Sequence, residues 1–204
     1  MLVLTYMGER GPYRRSQELN GIFNESVSLP EGLTTSQLEE AMKTVRSIFK
    51  AINEGLSKYD MPPINELVRL NQYSGMLSDF MTRLLDRLSS FKKLTNTDFP
   101  DLRNPSTGVG LEIKATTREP WGTVGHNVAR GWFLTIEYEL DSEGLPSFKT
   151  VWIGELVEED FTWYGRSSES KRTITASVKR ESWNRKMMKV FQRVSGEGVL
   201  TFIK

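Results

Sequence analysis

The hydrophobic period of this chain changes near its middle, and the change limits the folds open to it. Leu38, Ala41, Met42, Val45, Ile48, Phe49 and Ile52 recur at helical spacing, and Gly55 lies near the end of the stripe. Ser36-x-x-Glu39 ahead of it has the form of a capping box. Met61-Pro62-Pro63 interrupts the chain, and a denser helical stripe follows with Tyr73, Met76, Leu77, Phe80, Met81, Leu84, Leu85 and Leu88. Further on, Trp132, Leu134, Ile136, Tyr138 and Leu140 alternate with Phe133, Thr135, Glu137 and Glu139, the period-two signature of a strand with one strongly buried face. Asp141-Ser142-Glu143-Gly144 predicts a hairpin turn, and 150–154, 173–178 and 199–203 predict further strands, with a basic helix from Ser182 to Val190. The expectation is a single α/β domain, or an α+β one, built on a mixed central sheet flanked by helices. Residues 1–92 form a mainly helical half, and 93–204 carry the sheet.

At 204 residues the chain can bury a sizeable core without crosslinks. It has no cysteine, which removes thiolate metal sites, thiol catalysis and disulfide frameworks. One histidine, His126, cannot build a histidine-rich metal centre. Met1 to Met7 is too short and poorly flanked for a signal peptide, and no apolar run approaches a membrane span. These features predict a soluble, cytoplasmic protein with no membrane partner.

Net charge is +1, but the total conceals segregation along the chain. From Trp132 to Asp160 the sum is −7; from Gly165 to Arg193 it is +7. A near-neutral protein with a basic face can still track a phosphate backbone. A solvated cationic helix is the plainer alternative.

The chemistry concentrates between Pro100 and Lys114. Pro100-Asp101 is followed, after a turn-rich connection, by a predicted strand from Leu111 to Ala115 that holds Glu112-Ile113-Lys114. Glu112 and Lys114 share one face of that strand, and Leu111, Ile113 and Ala115 share the other. Two carboxylates hold Mg²⁺ through hard oxygen ligands while leaving positions for water and a phosphate oxygen. The ion prepares water for in-line attack and offsets charge on the attacking and leaving oxygens. An ammonium beside the scissile phosphate stabilises the negative charge that develops there. The alternative is an exposed strand with an ordinary Glu and Lys on its solvent face.

The segment resembles the PD-(D/E)xK nuclease superfamily, and within it the type II restriction endonucleases, with Asp101, Glu112 and Lys114 at the signature positions. The resemblance implies a restriction-endonuclease-like fold and Mg²⁺-dependent, sequence-specific cleavage of double-stranded DNA, with Mn²⁺ substituting for Mg²⁺. Asp101 and Glu112 are then ligands, the Ile113 carbonyl is a third, and Lys114 is the polar catalyst. Asp79, on the helix before the motif, is a further candidate ligand, or else the i,i+4 partner of Arg83. The resemblance also implies a homodimer and functional pairing with a DNA methyltransferase. Two other readings stay open: a structure-specific repair or recombination nuclease of the same superfamily, and a non-catalytic DNA-binding protein.

Candidate DNA contacts follow the catalytic strand. Arg118, His126, Asn127 and Arg130 lie in or near a glycine-containing stretch, and Asn and Arg suit bidentate contacts to base edges. Arg166, Lys171, Arg172, Thr173 and Thr175 interleave cations with hydroxyls, as phosphate contacts require, and Lys179, Arg180, Arg185 and Lys186 extend the patch. Ordinary turn roles for His126 and Asn127, and a polar loop joined to a cationic helix, are the alternatives. Arg10, Arg14 and Arg15 beside Tyr13 suggest a further DNA-contacting arm.

Overall fold

The computed structural model describes residues 12–94, 99–122, 124–126, 130–164 and 175–194. It is a mixed α/β fold. The chain opens with a hairpin, β1 (Tyr13–Ser16) and β2 (Gly21–Asn24), then runs through α1 (Thr35–Ser57), the single turn α2 (Ile64–Leu67) and α3 (Leu70–Leu88). Strands β3 (Lys92–Lys93), β4 (Leu102–Arg103), β5 (Gly110–Thr116), β6 (Val124–His126), β7 (Gly131–Leu140), β8 (Pro146–Leu156), β9 (Phe161–Tyr164) and β10 (Thr175–Val178) follow. Helix α4 (Arg180–Lys186) and strand β11 (Met188–Arg193) complete the described elements.

Eight strands form one sheet in the order β1-β2-β11-β8-β7-β5-β4-β3, and β6-β10-β9 form a second, smaller sheet. Among the described strands only the β5–β7 pair is parallel; the others are antiparallel. Helices α1 and α3 cover one face of the large sheet, where Leu38, Phe49, Leu77 and Met81 meet Leu134, Ile136 and Ile153 in the main core. The small sheet and α4 cover the other face through Phe161, Val178 and Trp183, which meet Phe133 and Leu156. Residues 133–136 of β7 are consequently buried on both faces, where the alternation predicts one.

The two long helices are close to the sequence expectation. Phe49 of α1 and Tyr73 of α3 stack with ring centroids 4.4 Å apart, and both are buried. Full burial of each such side chain stabilises the fold by roughly 1.5–3 kcal/mol. The capping box lies two residues earlier than Ser36-x-x-Glu39: Thr34 Oγ1 accepts the Gln37 N–H at 3.2 Å, and Gln37 Oε1 accepts the Thr34 N–H at 2.8 Å. Thr34 has the extended backbone an N-cap requires, whereas Ser36 is already helical. Glu39 instead pairs with Arg14 and Lys43.

Two departures have clear causes. The predicted helix from Ser182 to Val190 starts earlier and stops at Lys186, because the following residues fill the large sheet between β2 and β8. Val190 and Phe191 are consecutive and both fully buried, which the register shift between Lys189 and Phe191 permits. Phe191 packs on Phe23 at 4.9 Å, so tertiary contacts override the local pattern. The N-terminal half is likewise not purely helical, since the short β1–β2 hairpin joins the large sheet through β11. The predicted strand 199–203 lies outside the described residues.

The Asp141–Gly144 turn is as expected. Asp141 Oδ1 accepts the N–H groups of Glu143 and Leu145 at 2.9 and 3.0 Å. Gly144 has φ +71°, and a Cβ there would lie 2.0 Å from Asn65 Oδ1, so only glycine fits. Among the described residues, no helix is long and apolar enough to cross a membrane.

Candidate active site

Strand β5 extends the predicted segment by one residue at each end. Its neighbour β4 pairs only with Leu111 and Gly110, leaving residues 112–116 unpaired on that side among the described strands. On the other side β5 is paired with β7 over its whole described length beyond Gly110. Pro100 rests on β5 at Gly110, where a Cβ would come within 2.7 Å of Pro100 Cγ. That close approach brings Asp101 against the point where the edge becomes free.

The three signature residues meet there. Asp101 Oδ2 accepts the Ile113 N–H at 2.8 Å, and Glu112 Oε2 accepts the Asp101 N–H at 3.1 Å. Lys114 Nζ donates to Glu112 Oε1. The Glu112 side chain is 2% exposed and that of Lys114 28%. Burial pushes the Glu112 carboxyl above the ordinary carboxylate range; the Lys114 ammonium opposes this and the nearby Asp101 charge adds to it.

Asp101 and Lys114 line a cavity of about 950 Å³ between α3 and the free edge of β5. Asp79, Ile113 and Arg118 line it too. The N–H and C=O of a strand residue point to the same side, so the Ile113 carbonyl faces the free edge with its N–H. Asp79 is exposed, and among the described residues no ion pair joins it to Arg83. No group of three or more His, Cys, Asp or Glu suited to a metal forms among the described residues. The candidate donor set is two carboxylates and the Ile113 carbonyl, with Asp79 on the facing α3 wall and outside the cluster.

That set fits a hard cation that keeps several waters, as Mg²⁺ does. Asp101 and Glu112 bring like charges together at a buried position, and each carboxylate oxygen has a second lone pair beyond the bond described above.

The remaining candidates are distributed differently. Arg118 is exposed at the cavity mouth, and its N–H donates to Thr116 Oγ1 at 3.0 Å. Arg130 pairs with Glu155 at 3.0 Å. Lys179 donates to the Glu159 carbonyl at 2.8 Å, and Arg180 lies over Trp121, 5.3 Å from the ring centroid. Lys186 and Arg185 reach Asp160 at 2.5 and 3.6 Å. The acidic and basic segments thus meet in part, and Lys186 serves as a structural partner. Backbone positions 126 and 175 face each other in the small sheet. Asn127, Arg166, Lys171, Arg172 and Thr173 lie outside the described residues, as does Arg10. Arg14 is held by Glu25 and Glu39 and so is tied to α1.

The sequence reading missed the opposite wall of the cavity, which α3 supplies through Asn71, Ser74, Gly75 and Ser78. Their spacing of three or four residues beside the Tyr73–Leu77 stripe was the available signal. No protein-family model matches this chain, and no curated protein matches it.

Proposed function

We propose that the protein is a Mg²⁺-dependent endonuclease of the PD-(D/E)xK type, cutting double-stranded DNA at specific sites as type II restriction enzymes do. The observation that carries this reading is the convergence of Asp101, Glu112 and Lys114 at the free edge of β5, where Asp101 and Lys114 line a large cavity. An ordinary solvent-facing Glu and Lys would not give a carboxylate that is 2% exposed beside a second carboxylate.

In this reading Asp101, Glu112 and the Ile113 carbonyl hold the cation. When bound, Mg²⁺ supplies a Lewis acid for the phosphate and lowers the pKa of water. Lys114 brings a positive charge to the cavity side of Glu112, where it offsets charge on the phosphate as in-line attack proceeds. The reciprocal bonds between Asp101 and the Glu112–Ile113 segment fix both carboxylates before substrate arrives, which limits the reorganisation the reaction requires. Action as a homodimer, each subunit cutting one strand, and partnership with a DNA methyltransferase belong to the same proposal.

Incubating the purified protein with long phage DNA and Mg²⁺, then sequencing the ends, tests the reading. Discrete fragments with a common end sequence are expected. Cutting only of branched or damaged DNA would assign a repair nuclease instead, and salt-sensitive binding without cutting would assign a non-catalytic DNA-binding protein.

A further inference from the structure

We infer that the free edge of β5 beyond Asp101 is a rail for the backbone of the strand being cut, with the Ala115 N–H donating to the phosphate next to the scissile one. This rests on the nuclease reading above and adds a substrate contact to it.

The argument starts from strand geometry. The Ile113 N–H donates to Asp101 Oδ2, away from β7. Amides alternate sides along a strand, so the Ala115 N–H points the same way two residues further on. Strand β4 has ended by then, and among the described residues no strand pairs with Ala115 from that side. Ala115 lines the cavity beside Ile113 and Lys114.

Two residues of strand advance about 6.6 Å, close to the separation of neighbouring phosphates in a nucleic-acid strand. A phosphate at the Asp101–Lys114 cluster therefore places its neighbour near the Ala115 N–H, a donor type that commonly positions phosphates. Lys114 and Arg118 flank this edge with positive charge, while Asp79, Asp101 and Glu119 also line the cavity, so the two cations are the groups placed to meet phosphate oxygens. The facing wall of α3 leaves room for it: Ser74 and Ser78 are small, and a Cβ at Gly75 would meet nothing within 4 Å.

The experiment uses a duplex carrying the mapped cleavage site, with one phosphate at a time replaced by a neutral methylphosphonate. Single-turnover rates are measured for the wild type and Ala115→Pro, which lacks the N–H and lies on an edge where proline is tolerated. A methylphosphonate beside the cut is expected to slow the wild type by roughly 10- to 100-fold, the scale of one hydrogen bond to a charged group. Ala115→Pro should be slowed by a similar factor and lose sensitivity to that replacement. Wild-type cleavage that is indifferent to both phosphates flanking the cut overturns the inference and leaves the nuclease reading intact. So do effects of proline and methylphosphonate that simply multiply. Should Ala115→Pro fail to fold, the wild-type scan alone decides. Failure of the wild type to cut any unmodified DNA instead overturns the nuclease reading, and this inference with it.

Discussion

Glu112 and Asp160 are two carboxylates with equally little exposure to solvent, and they are held in opposite ways. Each side chain is 2% exposed, and each is paired with a lysine, Lys114 at 28% and Lys186 at 29% exposure. Burial works against ionisation in both. At Asp160 it is outweighed by Lys186, by the Val157 N–H at 2.8 Å and by Ser182, and the carboxyl lies below its ordinary range. At Glu112, which lies deeper in the protein, burial outweighs the same kind of ion pair, Asp101 adds a like charge, and the carboxyl lies above its ordinary range. Asp160 is a satisfied joint between the acidic run and α4, and Glu112 is an incompletely compensated charge behind Asp101 and Lys114, which line the cavity. A buried ion pair alone does not mark a site; an adjacent second carboxylate and an open face do.

The largest expected effect separates the two positions by activity. Lys114→Ala should lower single-turnover cleavage by about 10²- to 10³-fold, the usual cost of removing one transition-state electrostatic contact. Circular dichroism and melting should show the fold retained. A fall of less than tenfold would mean that Lys114 only pairs with Glu112.

Next in size is Asp160→Ala. It leaves Lys186, the Val157 N–H and Ser182 without their acceptor and should destabilise the protein by about 3 kcal/mol, measured by urea unfolding. Lys186 can turn toward solvent, which keeps the loss at the lower end of the range for broken buried pairs. Cleavage at a temperature where the variant is folded should persist.

Glu112→Gln should do the reverse. With the unfavourable buried charge removed, chelator-treated protein should gain about 1 kcal/mol, or roughly 2–4 °C in Tm, while cleavage is lost. A large loss of stability would place Glu112 with Asp160 as a structural group.

How much of this was legible in the sequence depended on how local the cause was. The long helices and strand β5 were legible because dense apolar stripes and the Leu111-Ile113-Ala115 alternation carry their own period. Asp101, Glu112 and Lys114 were legible as a motif. The free edge that gives them a cavity was not, because it depends on β4 ending after two residues and on β7 pairing from the other side. Helix α4 and β11 were misassigned between Met187 and Val190, since Lys189 continues the cationic pattern of Arg185 and Lys186 into a strand whose partners are β2 and β8. The sequence shows the 132–160 and 165–193 segments as separate charge blocks, and only the fold joins them at Asp160.

The smallest effect is on pH dependence. A carboxyl whose folded pKa lies below the unfolded value adds stability above that value, near about 4, and loses it as pH falls through the folded one. The unfolding free energy of Asp160→Asn should therefore fall less steeply than that of the wild type below about pH 4. Glu112 has the opposite sign: its cost is present at neutral pH and disappears on acidification. Parallel acid limbs for wild type and Asp160→Asn would remove the contrast between the two sites.

The most direct test is cleavage of long duplex DNA by wild type, Glu112→Ala and Asp160→Asn side by side, with Mg²⁺ and with chelator, below the melting temperature of each. The account predicts discrete fragments from wild type and Asp160→Asn with Mg²⁺ alone, and intact DNA from Glu112→Ala in every tube. Intact DNA from the wild type, or equal cutting by Glu112→Ala, would contradict it.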